Sequence, residues 1–252
     1  MKFVASISVR VYGALNDFLP APCRQATLVY ELKHVASVKD LVEALGVPHP
    51  EIDLIVVNGR PVSFAYGVLE GDRIAVFPPF RTLDLEGVPR LGPPPQAEPR
   101  LVADVHLGRL AAYLRFAGFD TEYRTDYADR KIVAISAAED RTLLTRDLGV
   151  LKHRSVARGY FVRQTQPARQ LVEVLRYFDL AARAAPFTRC VRCNSLLHAV
   201  PKDRVEHLLP PRTREQYREF SRCPTCARIY WRGSHYTRMR AFLDMAFAAA
   251  AT

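Results

Sequence analysis

Short apolar runs alternate with segments of helical period between residues 101 and 178. The apolar runs predict strands, and the 3.6-residue period predicts helices. The predicted strands are Leu101–Ala103, 119–123, Thr142–Thr145 and 160–162. Helices are predicted after the first, second and fourth strands. The first helix ends at Gly118, and the second begins at Asp126 or Asp129 and ends near Glu139. The third is predicted to bury Leu171, Val174, Leu175 and Phe178. Strands that alternate with helices predict an α/β fold with a parallel sheet.

Residues 1–80 show a different pattern. Strands are predicted at 4–12, 27–32, 54–57 and 73–77, and Asn58-Gly59 and Gly71-Asp72 are turn signals. A helix is predicted at 38–45, with Ser37 as its N-cap and Gly46 at its end. The order strand, strand, helix, strand, strand predicts a small α+β domain of the β-grasp type.

The remaining segments set the domain organisation. Residues 81–100 contain five prolines and two glycines, which is typical of a semi-stiff linker. The apolar segment after Met239 is short and interrupted by charges, so we expect it to pack on its own domain. The predicted ranges are 1–80 for the β-grasp domain, 81–100 for the linker, 101–183 for the parallel α/β domain and 184–252 for a C-terminal region.

Composition and charge narrow the class of protein. The 252 residues are 49% hydrophobic and 25% charged, with no apolar run of about 20 residues and no signal segment, so we expect a soluble, cytoplasmic protein without a membrane partner. The net charge is +10, and residues 181–252 hold 13 basic against 5 acidic side chains. Arginines interleaved with aromatic residues suit nucleic acid. A merely solvated basic face is the alternative.

Three acids lie where a parallel sheet would bind a ligand. Asp104 and Asp147 follow predicted strands, and Asp129 lies at a helix start that faces the same edge. Converging carboxylates repel one another, and Mg²⁺ or Mn²⁺, which prefer oxygen ligands, relieve that repulsion. Metal-assisted phosphodiester hydrolysis is the chemistry such a site supports. Alternatively, these acids are helix caps and solvated turn residues.

Four of the five cysteines form two C-x-x-C pairs. The pairs are Cys190 with Cys193 and Cys223 with Cys226, and 29 residues lie between them, in which helices are predicted at 203–209 and 214–220. Two such knuckles provide four thiolates for a tetrahedral, structural Zn²⁺. Disulfides are the alternative, which a cytoplasmic location disfavours. The fifth cysteine, Cys23, is interpreted as a buried or incidental thiol and not as a metal ligand or nucleophile.

Several motifs resemble one known family. ADVHLGRLAAYLRFAGFD, DRKIVAIS, RTLLTRDLGVLK, PFTRCVRCN, LPPRTREQYREF and CPTCARIYWRGSHYTRMR together resemble the mut-seven carboxy-terminal RNase domain, a PIN-like nuclease domain, over about residues 100–240. The resemblance implies metal-dependent RNA cleavage with Asp104, Asp129 and Asp147 as catalytic acids. Asp120 and Asp126 are its implied auxiliary acids. The chain departs from many PIN nucleases at 148–150, where Leu-Gly-Val stands in place of a fourth acid.

The stretches VVNGRPV and LEGDRIAVFPP in residues 1–80 resemble sulfur-carrier, ubiquitin-like proteins and the ubiquitin-like domain that accompanies mut-seven-type RNase domains. A sulfur carrier needs a free Gly-Gly terminus, but here the chain continues past Phe80. A binding or positioning module for an unidentified protein partner is therefore the interpretation for this domain.

Two functional hypotheses follow. In the first, the chain is a Mg²⁺- or Mn²⁺-dependent ribonuclease whose basic zinc ribbon binds RNA, expected to be single-stranded. The RNA-binding candidates are Arg146, Arg228, Arg232, His235 and Arg238. In the second, the chain is a non-catalytic RNA-binding adaptor whose acids are structural. His106, close to Asp104, is either a substrate contact or a solvated side chain.

Overall fold

The computed structural model describes residues 6–32, 37–80, 87–96 and 98–251. The chain divides into two compact units: the first comprises residues 1–95 and 147–161, and the second comprises residues 96–146 and 162–252. The predicted linker 81–100 lies partly outside the described residues, which omit 81–86 and 97. The four predicted domain ranges stay a prediction, and they differ from this division in the placement of 147–161.

Strands and helices follow the predicted alternation closely. The strands are β1 Ser6–Val11, β2 Thr27–Glu31, β3 Leu54–Val57, β4 Arg60–Val62, β5 Arg73–Phe77, β6 Leu101–Ala103, β7 Thr121–Glu122, β8 Thr142–Thr145, β9 Gly159–Phe161, β10 His198–Val200, β11 Phe220–Arg222 and β12 Ile229–Tyr230. The α-helices are α1 Val38–Ala44, α2 Gly108–Phe116, α3 Asp129–Ala138, α4 Leu148–Leu151, α5 Pro167–Tyr177, α6 Pro211–Gln216 and α7 Ser234–Ala251.

The first unit contains a five-stranded sheet in the order β2-β1-β5-β3-β4, with β1 and β5 parallel. Alternate residues of β1 and β5 are buried and form one hydrophobic cluster with the apolar residues of α1. Ser37 and Asp40 form a reciprocal capping box at the start of α1. The predicted β-grasp fold is confirmed. The turn at Asn58 and Gly59 was predicted, but the strand that it leads into, β4, was not.

The segment 147–161 packs within the first unit. His49 Nε2 lies 3.0 Å from the backbone oxygen of Val156, and the backbone N–H of Phe161 donates to Glu51 Oε1 at 2.5 Å. A Cβ added at Gly159 would lie 2.4 Å from Leu151 Cδ1, so any larger residue here would require the Leu151 side chain to move. These contacts explain why the first unit includes a segment from beyond residue 100.

The second unit contains the parallel sheet, in which β6 lies between β7 and β8 and is parallel to both. Every residue of β6 and β8 is buried, as expected for a parallel sheet with both faces covered. Helix α3 contacts β6 and β8, and α2 contacts β7. The predicted α/β architecture is confirmed. Helix α5 ends at Tyr177, however, so Phe178 lies beyond it and is only half-buried, contrary to its predicted burial.

Strands β10, β11 and β12 form a three-stranded antiparallel sheet in the second unit. The helix predicted at 214–220 is displaced: α6 begins at Pro211, a residue that favours the first helical turn, and ends at Gln216. Phe220 instead pairs with Val200 and is buried. The helix predicted at 203–209 is wrong, because two short 3₁₀ turns meet at Val205, whose backbone is not helical.

The last helix, α7, contacts α5 and buries Leu243 and Ala246. This agrees with the prediction that the closing segment packs on its own domain. None of the helices in the described part of the chain combines the length and hydropathy that crossing a bilayer requires.

Candidate functional site

Asp104 lies at the carboxyl end of β6 and is only 3% exposed. Its position is fixed from β8: the Asp104 backbone N–H donates to Leu144 O at 3.0 Å, and Thr145 Oγ1 donates to Asp104 Oδ2 at 2.7 Å. A buried carboxylate is costly unless it is hydrogen-bonded or paired with a cation. The described residues offer no hydrogen-bond or ion-pair partner to the other oxygen, Oδ1. This oxygen is therefore available to a ligand.

Two further acids lie at the same edge of the sheet. Glu122 is the last residue of β7, in register with Val102 of β6, and its Oε1 accepts a hydrogen bond from Tyr127 at 2.7 Å. Burial is the larger cause and this hydrogen bond the smaller one that together raise the pKa of Tyr127 to about 12. Asp129 is the exposed first residue of α3, where the helix dipole favours a negative charge. We call Asp104, Glu122 and Asp129 the acidic edge. Sequence reasoning missed Glu122.

The two predicted auxiliary acids are engaged in ion pairs. Asp126 is exposed and makes a two-point ion pair with Arg124, whose Nε and Nη2 lie 2.9 and 2.8 Å from its oxygens. This hydrogen bonding lowers the pKa of Asp126. Asp120 lies just before β7, at the opposite end of the sheet from Asp104. Burial opposes its ionisation, but hydrogen bonds from Arg141 and Asn194 outweigh burial and lower the pKa of Asp120.

Asp147 belongs to the first unit, where it is the N-cap of α4. Its Oδ1 accepts hydrogen bonds from the backbone N–H groups of Gly149 at 2.6 Å and Val150 at 3.2 Å. The capping role weighed in the sequence analysis is thus present in the structure. A catalytic role for Asp147 stays a prediction.

Arg146 uses its guanidinium to hold a neighbouring segment of the second unit. Its Nη1 donates to the backbone oxygens of Val162, Arg163 and Gln164, each at 2.7 Å. Its predicted contact with RNA stays a prediction. His106 is exposed at the start of the 3₁₀ turn that follows Asp104.

The four cysteines of the two C-x-x-C pairs come together in the second unit, with their sulfur atoms all within 4.8 Å of one another. In each knuckle the residue after the second cysteine donates its N–H to the backbone oxygen of the first: Asn194 to Cys190 at 2.9 Å, and Ala227 to Cys223 at 3.0 Å. Both residues have positive φ, 69° and 58°. Among the described residues, this is the one group of three or more potential metal-binding side chains with such spacing.

The donor set fits zinc. Four sulfur atoms suit tetrahedral Zn²⁺ and leave no open position for a substrate. Burial raises the pKa of Cys226 to about 12, whereas hydrogen bonds with Ser195 outweigh burial at Cys193 and lower its pKa to about 6. Four thiols at this spacing cannot all ionise without a cation, so a divalent ion such as Zn²⁺ is what the cluster suits.

Arg115 of α2 links the first knuckle to β7. Arg115 is 3% exposed. Its guanidinium donates to backbone oxygens of Thr121 at 2.8 Å, Tyr123 at 3.1 Å, Arg192 at 2.8 Å and Val191 at 3.2 Å. Asn194 adds a bond in the same place, because its Oδ1 accepts the N–H of Thr121 at 3.0 Å. The knuckle that would hold zinc is therefore joined to the strand that carries Glu122. Sequence reasoning missed this arginine.

The remaining RNA-binding candidates lie around β12 and the start of α7. Arg228, Arg232, His235 and Arg238 are all exposed. The Arg232 guanidinium lies over the ring of Tyr236, 5.9 Å from its centroid. Exposed arginines beside aromatic rings can contact both phosphates and bases. The prediction that these four residues bind RNA remains to be tested.

Comparisons with known proteins match both parts of the chain. A family model described as Mut7-C RNAse domain matches residues 99–243, which is more than half of the 252 residues, and one described as Mut7-C ubiquitin matches residues 4–84. The crystal structure of H. volcanii small archaeal modifier protein 1 is similar over 30% of this chain and 99% of that chain, with 22% identity and a TM-score of 0.25. No curated protein matches the chain.

Proposed function

The chain belongs to the Mut7-C RNAse domain family, and on that basis we propose that it is a metal-dependent ribonuclease whose acidic edge takes part in phosphodiester hydrolysis. Membership of this family supports a nuclease-like function with RNA as the substrate. The observation that carries the catalytic proposal is Asp104, a buried carboxylate held by Thr145 at one oxygen and without a partner at the other.

The residues of the acidic edge suit Mg²⁺ or Mn²⁺, since carboxylate oxygens are the ligands that these hard cations prefer. Such an ion would supply positive charge beside the scissile phosphate and make a water molecule more acidic. The Thr145 hydroxyl holds Oδ2 of Asp104, and the other oxygen, Oδ1, would bind the ion. Asp129 adds negative charge at the same edge, and its own helix start stabilises that charge. The catalytic role of Asp147 stays a prediction, based on its place after β8 and on the sequence resemblance.

The zinc ribbon, residues 184–252 with a structural Zn²⁺ on the four cysteines, is proposed as the RNA-binding region. Residues 181–252 carry 13 of the basic side chains against 5 acidic ones. Phosphate contacts from arginine orient a strand without acting on the reacting phosphorus. Single-stranded RNA is the proposed substrate. A protein partner for residues 1–80 and a cytoplasmic location stay predictions.

The non-catalytic adaptor remains the second candidate because some predicted acids already have structural roles. Asp126 is neutralised by Arg124, and Asp147 caps α4. An adaptor would bind RNA through the ribbon and would not cleave it.

The test compares Asp104→Asn with the wild-type chain in cleavage of a labelled RNA with Mn²⁺ in excess. Asparagine keeps an oxygen to accept the Thr145 hydrogen bond but removes the charge that attracts the cation. We expect a loss of about 100-fold or more, the usual effect of removing one electrostatic contribution from an active site. RNA binding should persist or tighten, because like-charge repulsion with phosphate falls.

Asp244→Asn is the matched control. Asp244 lies on α7 and pairs with Arg240 one helical turn away, at 2.9 Å on the surface. The same chemical change there should leave cleavage unaffected. Equal cleavage by Asp104→Asn and Asp244→Asn would refute the catalytic role of Asp104, and an absence of cleavage by the wild-type chain would favour the adaptor.

A further inference from the structure

The second unit contains a cavity of about 630 Å³ beside the sheet of β10, β11 and β12. Its lining comes from α2, α6, β12 and the start of α7, and it includes seven aromatic side chains: Tyr113, Phe116, Phe187, Tyr217, Tyr230, Trp231 and Tyr236. The volume lies within the range of about 300–1,000 Å³ that is usual for small-ligand pockets. None of the proposed catalytic acids lines it.

Two aromatic residues form a firm wall of this cavity. Trp231 and Tyr217 both line the cavity and both pack against the buried cluster of Val205, Leu209 and Phe220. A Cβ added at Gly233 would lie 2.8 Å from Trp231 Nε1 and 3.4 Å from the Tyr217 hydroxyl, so glycine permits this arrangement of the two rings. Rings held in this way lose little freedom when a flat ligand stacks on them.

The interior of the cavity is also lined by aromatic rings that contact one another. Phe187 makes edge-to-face contacts with Phe116, Tyr230 and Tyr236 at centroid distances of 6.1, 6.0 and 4.8 Å. Edge-to-face packing is a favourable aromatic geometry.

The charge of the cavity decides which flat ligand it suits. Arg212 and His235 line it, and the lining includes no aspartate or glutamate. An aromatic cage for a quaternary ammonium would place a positive ligand beside these groups, which is unfavourable. The lining also includes hydrogen-bonding groups that the described residues leave without a partner, the Trp231 indole N–H and the Gln216 amide. An aromatic ring with polar edges on an anionic chain matches all of these features.

We propose that this cavity holds one unpaired base of the bound RNA, stacked on Trp231 and Tyr217, while Arg212 faces the backbone phosphate of that nucleotide. Unpaired bases stacked on aromatic rings are the usual means of recognising single-stranded RNA. The inference rests on the proposed function in that RNA is the ligand. It deepens that function by assigning a base-binding site to the ribbon, apart from the phosphate contacts.

The single tryptophan of the chain provides a direct readout, because all indole fluorescence comes from Trp231. Full-length Asp104→Asn protein is titrated at fixed salt with a ten-nucleotide oligouridylate, and with a ribose-phosphate oligomer of equal length that lacks bases. Omitting Mn²⁺ and using this variant keeps the RNA intact. The oligouridylate should quench Trp231 and bind about tenfold more tightly than the abasic oligomer, which corresponds to the lower part of the range for base–aromatic stacking.

Equal affinity and equal quenching by the two oligomers would overturn the inference, because phosphate contacts alone would then explain binding. Binding of oligouridylate without any change in Trp231 fluorescence would overturn it as well. If the oligouridylate quenches Trp231 but the wild-type chain does not cleave RNA, the base site is supported and only the proposed nuclease is refuted. If the wild-type chain cleaves RNA but the oligouridylate does not quench Trp231, the nuclease is supported and the base site is refuted.

Substitutions at Tyr217 test the stacking wall without altering the fluorophore. Tyr217→Phe should keep the affinity for oligouridylate within about twofold, whereas Tyr217→Leu should lower it about tenfold. Tyr177→Leu, on α5 and outside the cavity, controls for the loss of an aromatic ring. Zinc content and unliganded Trp231 emission show whether the Leu variant is folded. Equal affinities of folded Tyr217→Leu and Tyr217→Phe would contradict the proposed stacking.

Discussion

Arg115→Met should destabilise the second unit severely, because one guanidinium joins the first zinc knuckle to β7. The side chain is 3% exposed and makes four hydrogen bonds of 2.8 to 3.2 Å with backbone oxygens. Methionine keeps much of the apolar stem but leaves those oxygens without their donor. A hydrogen bond to a charged group contributes about 1.5–3 kcal/mol, so four give a gross effect of roughly 6–12 kcal/mol.

The expected net loss is smaller. The carbonyls of Val191 and Arg192 are bonded in a partly buried setting, where water can replace the guanidinium, and removing a buried charge also removes its desolvation cost. A net destabilisation of about 3–5 kcal/mol remains, which is a large share of the ordinary 5–15 kcal/mol of a folded domain. For a unit of this size, the midpoint of thermal unfolding should fall by on the order of 10 °C.

Differential scanning calorimetry of the zinc-loaded proteins measures this shift, and a zinc indicator dye measures release of the ion on mild heating. Arg109→Met is the matched control, since Arg109 lies on the same helix and is exposed. Exposed substitutions of that kind usually change stability by at most about 0.5 kcal/mol. If Arg115→Met unfolds and releases zinc no earlier than Arg109→Met, the proposed coupling between the knuckle and β7 is wrong.

Three other predictions concern zinc, the ribbon arginines and the α4 cap. Protein purified without added metal should contain one zinc per chain by elemental analysis, and near-zero zinc with four titratable thiols in the cluster would contradict this. Replacing Arg228, Arg232 and Arg238 with Ala should weaken RNA binding and reduce its dependence on salt, whereas turnover at saturating RNA should change much less. If the triple variant binds RNA normally but loses turnover, these arginines belong to the catalytic site. Asp147→Ala should cost about 1 kcal/mol of stability by removing the cap, whereas Asp147→Asn should cost little, so equal unfolding midpoints for these two variants would dispute the capping role.

The sequence was informative where local pattern and tertiary structure agree. Thr142–Thr145 was predicted with its exact bounds because a four-residue buried run is closed by the charged pair Arg146-Asp147. Both knuckles were found because a C-x-x-C pair is itself a local structure. Ser37 was found as an N-cap for the same reason, since its partner, Asp40, lies three residues away.

The sequence did not predict the role of residues whose contacts lie far away in the chain. Arg115 reads as an ordinary charged residue of an amphipathic helix, and only the fold brings Arg192, 77 positions away, to its guanidinium. Phe220 was assigned to a helix because its cross-strand partner Val200 lies 20 residues earlier. Glu122 was overlooked because the predicted strand 119–123 extends beyond it, whereas β7 ends at Glu122 and so places it at the carboxyl edge of the sheet.

The most direct test of the central claim is cleavage of an end-labelled single-stranded RNA by the full-length, zinc-loaded wild-type chain, with and without added Mn²⁺. We expect RNA products that require Mn²⁺, that persist when zinc is already saturating, and that disappear in Asp104→Asn but not in Asp244→Asn. RNA that remains intact at all Mn²⁺ concentrations, while the same protein binds it, would contradict the nuclease and support the adaptor.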